Sequence, residues 1–295
     1  MTAASRRYVS PDEDSARWAS FPFRPGDIVI STRSKHGTTW MQMICALLVF
    51  RTPDLPALLG SLSPWLDRLT APEAEVFAEL AAQRNRRFIK THTPLDGVPI
   101  EPEVTYIVVA RHPLDAAVSL YHQGDNIDRE VLRRLVGRPA PTTTPAPRPG
   151  LHDWLVEWIE ESPAPTEALD SLPGVMWHLS DAWSRRSEPN VLLVHYGDLE
   201  RDLEGEMRRI ARRLEIEVDD ADWPELVEAA SFGSMSARAE TLLPGPSGVL
   251  KDAGAFFRRG RSGAGREVLT ADELARYHER ARATAPPDLF QWLHR

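Results

Sequence analysis

The chain reads as an α/β fold: a parallel β-sheet flanked by helices on both faces. Four short runs read as strands, and the first, third and fourth are each followed by a turn and a stretch with helical character. That alternation is what parallel strands require, because a chain re-enters a sheet in parallel only after a crossover. The run 104–111 ("VTYIVVAR") is apolar through its body, as a central strand covered on both faces should be. The first run leads into the turn 31–40 ("STRSKHGTTW"), which combines a glycine, a lysine and paired threonines.

Taken in order, 27–31 ("DIVIS"), bounded by "RPG", is the first strand. From Thr38 the stretch "TTWMQMICALLVF" contains neither glycine nor proline and reads as a helix ending before "RTPDLP". Residues 86–92 ("RRFIKTH") and 104–111 supply the second and third strands. Pro113 suits the first turn of a helix that Ala116 to Tyr121 continues. Residues 190–199 ("NVLLVHYGDL") read as the fourth strand, with "EGEMRRIARRLEI" as the helix after it. Around 136–174 the pattern shifts to the Pro/Thr-rich "GRPAPTTTPAPRPG" and a short helix carrying Trp154 and Trp158 four apart. The strand pattern resumes afterwards and neither half supplies a complete sheet. This stretch therefore reads as an insertion closing over a pocket within a single domain, 1–295, rather than as a linker.

Composition narrows the function. With 35 basic against 43 acidic residues the formal charge is −8, which argues against nucleic acid or an anionic membrane as a partner but permits a local basic pocket. Cys45 is the single cysteine, so an intrachain disulfide and a cysteine-built zinc site are excluded. The histidines show no ligand spacing, and no metal is expected. The N-terminus lacks a signal-type apolar core, and no run reaches the roughly 18 apolar residues of a membrane span. A cytoplasmic enzyme or binding protein is expected.

Three strand ends carry anion-binding residues. In the first turn, Gly37 lets backbone approach an anion, Thr38 and Thr39 add hydroxyls, and Lys35 adds a charge. The usual nucleoside-triphosphate loop places its lysine after the glycine and a magnesium-binding hydroxyl next, whereas here lysine precedes glycine; the order favours a phosphate site without Mg-ATP. At the second strand end, Lys90 and His92 lie two apart and face the same way on an extended segment. A histidine there can serve as general base. The third strand end gives Arg111, able to fork onto a phosphate, and Ser119 on the following helix.

These stretches, with "VHYGDL", "SFGSM" and "RRG", occur in the order found in the cytosolic-type sulfotransferases that use 3'-phosphoadenosine 5'-phosphosulfate (PAPS), and the chain resembles that family over about residues 25–270. The resemblance implies a P-loop-like fold in which Lys35, His36, Gly37, Thr38, Thr39 and Trp40 form the loop for the 5'-phosphosulfate end. Arg33, Ser34 and His36 stand where the family usually has Tyr, Pro and Ser. It further implies His92 as catalytic base with Lys90 as companion and Lys35 at the leaving group. Arg111 and Ser119 belong to its R-x-P-x-D-x-x-V-S motif for the 3'-phosphate. Tyr196, Ser231 and Phe232 would hold the adenosine, and Arg258, Arg259 and Gly260 would complete the 3'-phosphate site. Ala230 replaces a threonine, and Gly265 stands where tryptophan is usual.

The function expected is transfer of a sulfuryl group from PAPS to the hydroxyl of a small acceptor, without a metal. A small-molecule kinase of the P-loop kind and a non-catalytic binder of a phosphorylated nucleotide are the alternatives. Monomer and homodimer both stay open. Trp65, Leu66, Phe77, Trp154 and Trp158 are the expected walls of the acceptor pocket, and their character points to a hydrophobic or aromatic acceptor.

Overall fold

The computed structural model describes residues 6–139, 147–243, 248–258 and 262–295. Four parallel strands, β1 (Ile28–Ser31), β2 (Phe88–Thr91), β3 (Thr105–Ala110) and β4 (Val191–His195), form a sheet in the order β2-β1-β3-β4. The register pairs Ser31 with Thr91 and Ala110 with His195, so within each of these pairs the carboxyl ends finish level. β2 and β3 lie on opposite sides of β1. The strand order reverses there, and a ligand crevice is expected outside the carboxyl ends.

The strand side chains alternate between two cores, as a pleat demands. Ile28, Ile30, Phe88, Ile107, Val109, Leu192 and Val194 pack on one face with the helix Thr38–Phe50. Val29, Ile89, Tyr106, Val108, Ala110 and Val191 pack on the other with the helices Leu151–Glu160 and Leu172–Ser184. Burial on both sides accounts for the near-continuous apolar runs of the strands. Helix Thr38–Phe50 has Met41 through Leu48 buried, Cys45 among them. It ends where Arg51 turns left-handed, at φ 53°, two residues before Pro53.

The fourth strand is shorter than its sequence implies. It stops at His195, whose Nδ1 accepts the Gly197 amide at 3.0 Å and caps the helix Tyr196–Arg201. A β-like run that closes in "HYGD" thus turns into helix as soon as a capping side chain becomes available. Among the described residues no helix is long and apolar enough to cross a membrane.

Candidate active site

Every strand end delivers a side chain to one cavity of about 790 Å³: Lys35 after β1, Lys90 and His92 at the end of β2, Arg111 after β3 and Tyr196 after β4. Gly37, Thr38, Thr39, Trp40, Ser119, Phe232 and Arg258 also line it.

The turn 32–37 reverses tightly, with Lys35 at φ 65° and Gly37 at φ 105°. A Cβ on Gly37 would stand 3.0 Å from Tyr196 Cδ2 and 3.4 Å from Val109 Cγ1, so both conformation and space call for glycine. The helix that follows has no side-chain cap, which leaves its first-turn amides, at the positive end of the helix dipole, available to an anion. Thr38 shares a short hydroxyl contact with Thr32. The Lys35 Nζ donates to Gln123 Oε1 at 3.1 Å and lies 3.8 Å over the Phe256 ring. Burial, and then the charges of Arg111, Lys90 and Arg258, push its pKa down to about 7. A buried lysine opposed by neighbouring cations in this way fits a polyanionic ligand.

Arg111 donates to the Lys35 carbonyl at 3.3 Å and lies 4.3 Å over the Tyr196 ring. The Tyr196 ring in turn meets Trp40 edge-on at 5.1 Å. The Trp40 indole N–H donates to the Ala230 carbonyl at 2.8 Å, so the residue replacing the family threonine still holds the aromatic pair through its backbone.

His92 is buried, and its Nδ1 bonds the Thr32 carbonyl. A carbonyl only accepts, so Nδ1 carries the proton and Nε2 presents the lone pair that a base needs. Burial, then the charges of Lys90 and Arg33, hold the imidazole pKa well below its ordinary 6.5, against the pull of the Thr32 carbonyl. Lys90 Nζ lies 4.2 Å over Trp65, whose ring meets the His92 ring at 4.9 Å. Burial lowers the Lys90 pKa to about 8.

Some expected residues sit elsewhere. The His36 side chain is buried beneath the loop, its Nδ1 3.0 Å from the Ser34 carbonyl, and does not line the cavity. Ser231 caps the helix Phe232–Ala237 by accepting from the Ser234 amide at 3.1 Å and is likewise off the lining. Arg259 and Gly260 lie outside the described residues. Of the five expected acceptor walls only Trp65 lines the cavity. Leu66 is in the core, Phe77 packs on Phe21 at 5.3 Å, Trp154 on Tyr121 at 5.4 Å, and Trp158 donates to the Asp170 carbonyl at 2.8 Å. The apolar part of the lining comes instead from residues such as Leu58, Leu59, Leu132, Leu242, Leu243 and Val249.

Arg33 and Ser34 were read only as departures from the family loop, and their partner Asp170 was missed. Arg33 is buried, bonds the His92 carbonyl with Nη1 and reaches Asp170 Oδ1 at 2.7 Å with Nη2. The Ser34 hydroxyl donates to the other Asp170 oxygen at 3.1 Å. Two of the three departures from the family loop, Arg33 and Ser34, therefore tie it to the segment after Trp158. Their non-family identity in a loop otherwise matched was the available signal.

Gly265 has a local cause as well. Asp115 accepts the amides of Gly263 and Gly265, each at 2.9 Å, which presses residue 265 onto the first turn of the helix Pro113–Asn126. A Cβ there would lie 2.4 Å from Leu114 Cβ and 2.9 Å from the Leu114 carbonyl oxygen. Gly265→Ala should lower the melting temperature by several degrees, since overpacking of this kind costs roughly 1–3 kcal/mol. An unshifted thermal transition would show that this contact is loose.

Comparison with known proteins follows the same lines. The profile described as a sulfotransferase domain matches residues 25–293. The chain is 39% identical to a glycolipid sulfotransferase of Mycobacterium tuberculosis, covering 97% of this chain and 93% of that one. It is 24% identical to human sulfotransferase 1C2 over 88% of this chain and 83% of that one. The fold resembles a mouse sulfotransferase solved with PAP, at a TM-score of 0.70 and 20% identity, covering 95% of this chain and 92% of the other. It also resembles a retinol dehydratase solved with androsterone and PAP, at a TM-score of 0.69 and 20% identity, covering 92% and 83%. The profile spans nearly the whole chain and the mycobacterial relative almost all of it: the chain belongs to the sulfotransferase family.

Proposed function

We propose that this sulfotransferase transfers a sulfuryl group from PAPS to a hydroxyl of an acceptor with an apolar body, such as a glycolipid. The observation that carries it is a single cavity lined both by the cations Lys35, Lys90, Arg111 and Arg258 and by apolar side chains such as Leu58, Leu132 and Leu242, with His92 in its wall. The mycobacterial relative's name supports a glycolipid among the hydrophobic or aromatic hydroxyl acceptors expected from sequence alone. His92 Nε2 takes the proton of the acceptor hydroxyl as its oxygen bonds to sulfur. Lys35 and the uncapped amides after Gly37 receive the charge that the breaking S–O bond leaves on the departing phosphate oxygen. Lys90 assists at the transferring group, and the donor's bound form supplies the activated sulfuryl group. Arg111, Ser119 and Arg258 are assigned to the 3'-phosphate. Chemistry of this kind asks for no metal, and among the described residues no acidic, histidine or cysteine group is clustered to hold one.

We read the chain as one domain, with 136–174 as part of it, because Asp170 bonds two side chains of the phosphate loop. A cytoplasmic setting accords with the one buried, free Cys45. Release of adenosine 3',5'-bisphosphate from PAPS in the presence of octyl glucoside, long-chain alcohols and phenols tests the reaction. No release with any hydroxyl acceptor would overturn it. For the donor site, Arg111→Ala should weaken binding of the bisphosphate by about tenfold or more in calorimetry while leaving AMP, which lacks a 3'-phosphate, nearly unchanged. Equal weakening of both would remove Arg111 from that role.

A further inference from the structure

We propose that Glu13 is a specificity-determining residue that hydrogen-bonds a second hydroxyl of the acceptor, next to the one sulfated, so that the preferred acceptor carries neighbouring hydroxyls as a sugar headgroup does. This rests on the sulfotransferase reading above. Glu13 lines the same cavity as Lys90 and His92, and its side chain is only 10% exposed. Its backbone is fully engaged: the amide donates to Ser10 Oγ at 3.1 Å and the carbonyl accepts from the Ser10 amide at 2.9 Å. Pairing across to Arg68 and the Asp14 amide on the Asp67 carbonyl at 2.9 Å hold the segment against the wall that carries Trp65. The carboxyl group is different. Its nearest cation, Arg33 Nη1, is 4.0 Å away, beyond hydrogen-bond reach, and that nitrogen already bonds the His92 carbonyl.

Among the described residues no side chain or amide hydrogen-bonds the carboxyl, and since Glu13 lines the cavity the group is open to a ligand there. Burial pushes the Glu13 pKa up to about 8, against the pull of Arg33, so near neutrality the group can both donate to and accept from a hydroxyl. The first acceptor hydroxyl belongs to His92, and a group fixed one guanidinium away from that histidine's backbone is placed to read its neighbour. Lys90 adds a donor lining the same cavity.

The test compares octyl β-glucoside with 1-octanol, which share a tail and differ in neighbouring hydroxyls. Glu13→Ala should lower kcat/KM for the glucoside by about 10- to 100-fold and leave that for octanol within about twofold. Glu13→Gln, which keeps a donor and an acceptor, should restore most of the loss. An equal fall for both acceptors, or no fall for the glucoside, overturns the role of Glu13 while leaving sulfuryl transfer intact. Failure of the wild type on every hydroxyl acceptor would instead strike the reaction itself and this proposal with it.

Discussion

Replacing His92 by alanine is expected to lower kcat by about 10²- to 10⁴-fold, the usual worth of a positioned general base, with bisphosphate binding little changed. The Nδ1 bond to the Thr32 carbonyl leaves Nε2 as the nitrogen with a free lone pair for the base role. Acidic phenols, which lose their protons with less help, should show a smaller deficit. The pH dependence has a definite sign. Because the imidazole pKa is depressed well below 6.5, the neutral base dominates through the neutral range, and activity should fall only as the pH drops well under that value. A His92→Ala enzyme with wild-type turnover on aliphatic alcohols would end the assignment, and so would an acid limb centred above 6.5.

Lys35→Ala should slow the transfer step by about two orders of magnitude, read by single-turnover chemistry rather than by KM. The wild-type lysine brings a second, independent readout. With a pKa near 7 it is partly neutral before an anion arrives, and a phosphate beside it must raise that value. Bisphosphate binding should therefore take up protons above neutral pH, and affinity should weaken as the pH climbs past about 7. Calorimetry in two buffers of different ionisation enthalpy measures the uptake directly. Buffer-independent heats at pH 8 would place the charge of Lys35 away from the bound phosphates, and Lys35→Ala should abolish the uptake where it is seen.

The sheet was legible because its signals are local. At the first crossover a β-branched run, a glycine-containing turn and an uninterrupted apolar helix follow one another, and the turn residues Lys35, Gly37 and Arg111 sit where the period changes. Glu13 was not legible, since an acidic residue in "SPDEDS" resembles any solvated terminus until the pairing with Arg68 carries it into the cavity. The tryptophans misled for a physical reason. Trp154 and Trp158, four apart, mark an amphipathic face, and that spacing is the same whether the face meets a ligand or the core. Tyr196 was read at a strand end and stands in the first turn of a helix, because a capping histidine looks like one more strand residue in sequence. Gly265 appeared as a lost tryptophan, and only the proximity of Leu114 explains it.

The grip of Asp115 on the amides of Gly263 and Gly265 also acts as a shield. The carboxylate stands in the first turn of the helix that begins just after Arg111, near the seat assigned to the 3'-phosphate, where its bare charge would repel that ligand. Two backbone amides held against it mute the repulsion without placing a further cation beside Arg111. The glycine loop thereby sets the local potential from a distance of nearly 150 residues along the chain. Lifting that loop should cost bisphosphate affinity most at low ionic strength, where an unmasked charge reaches farthest.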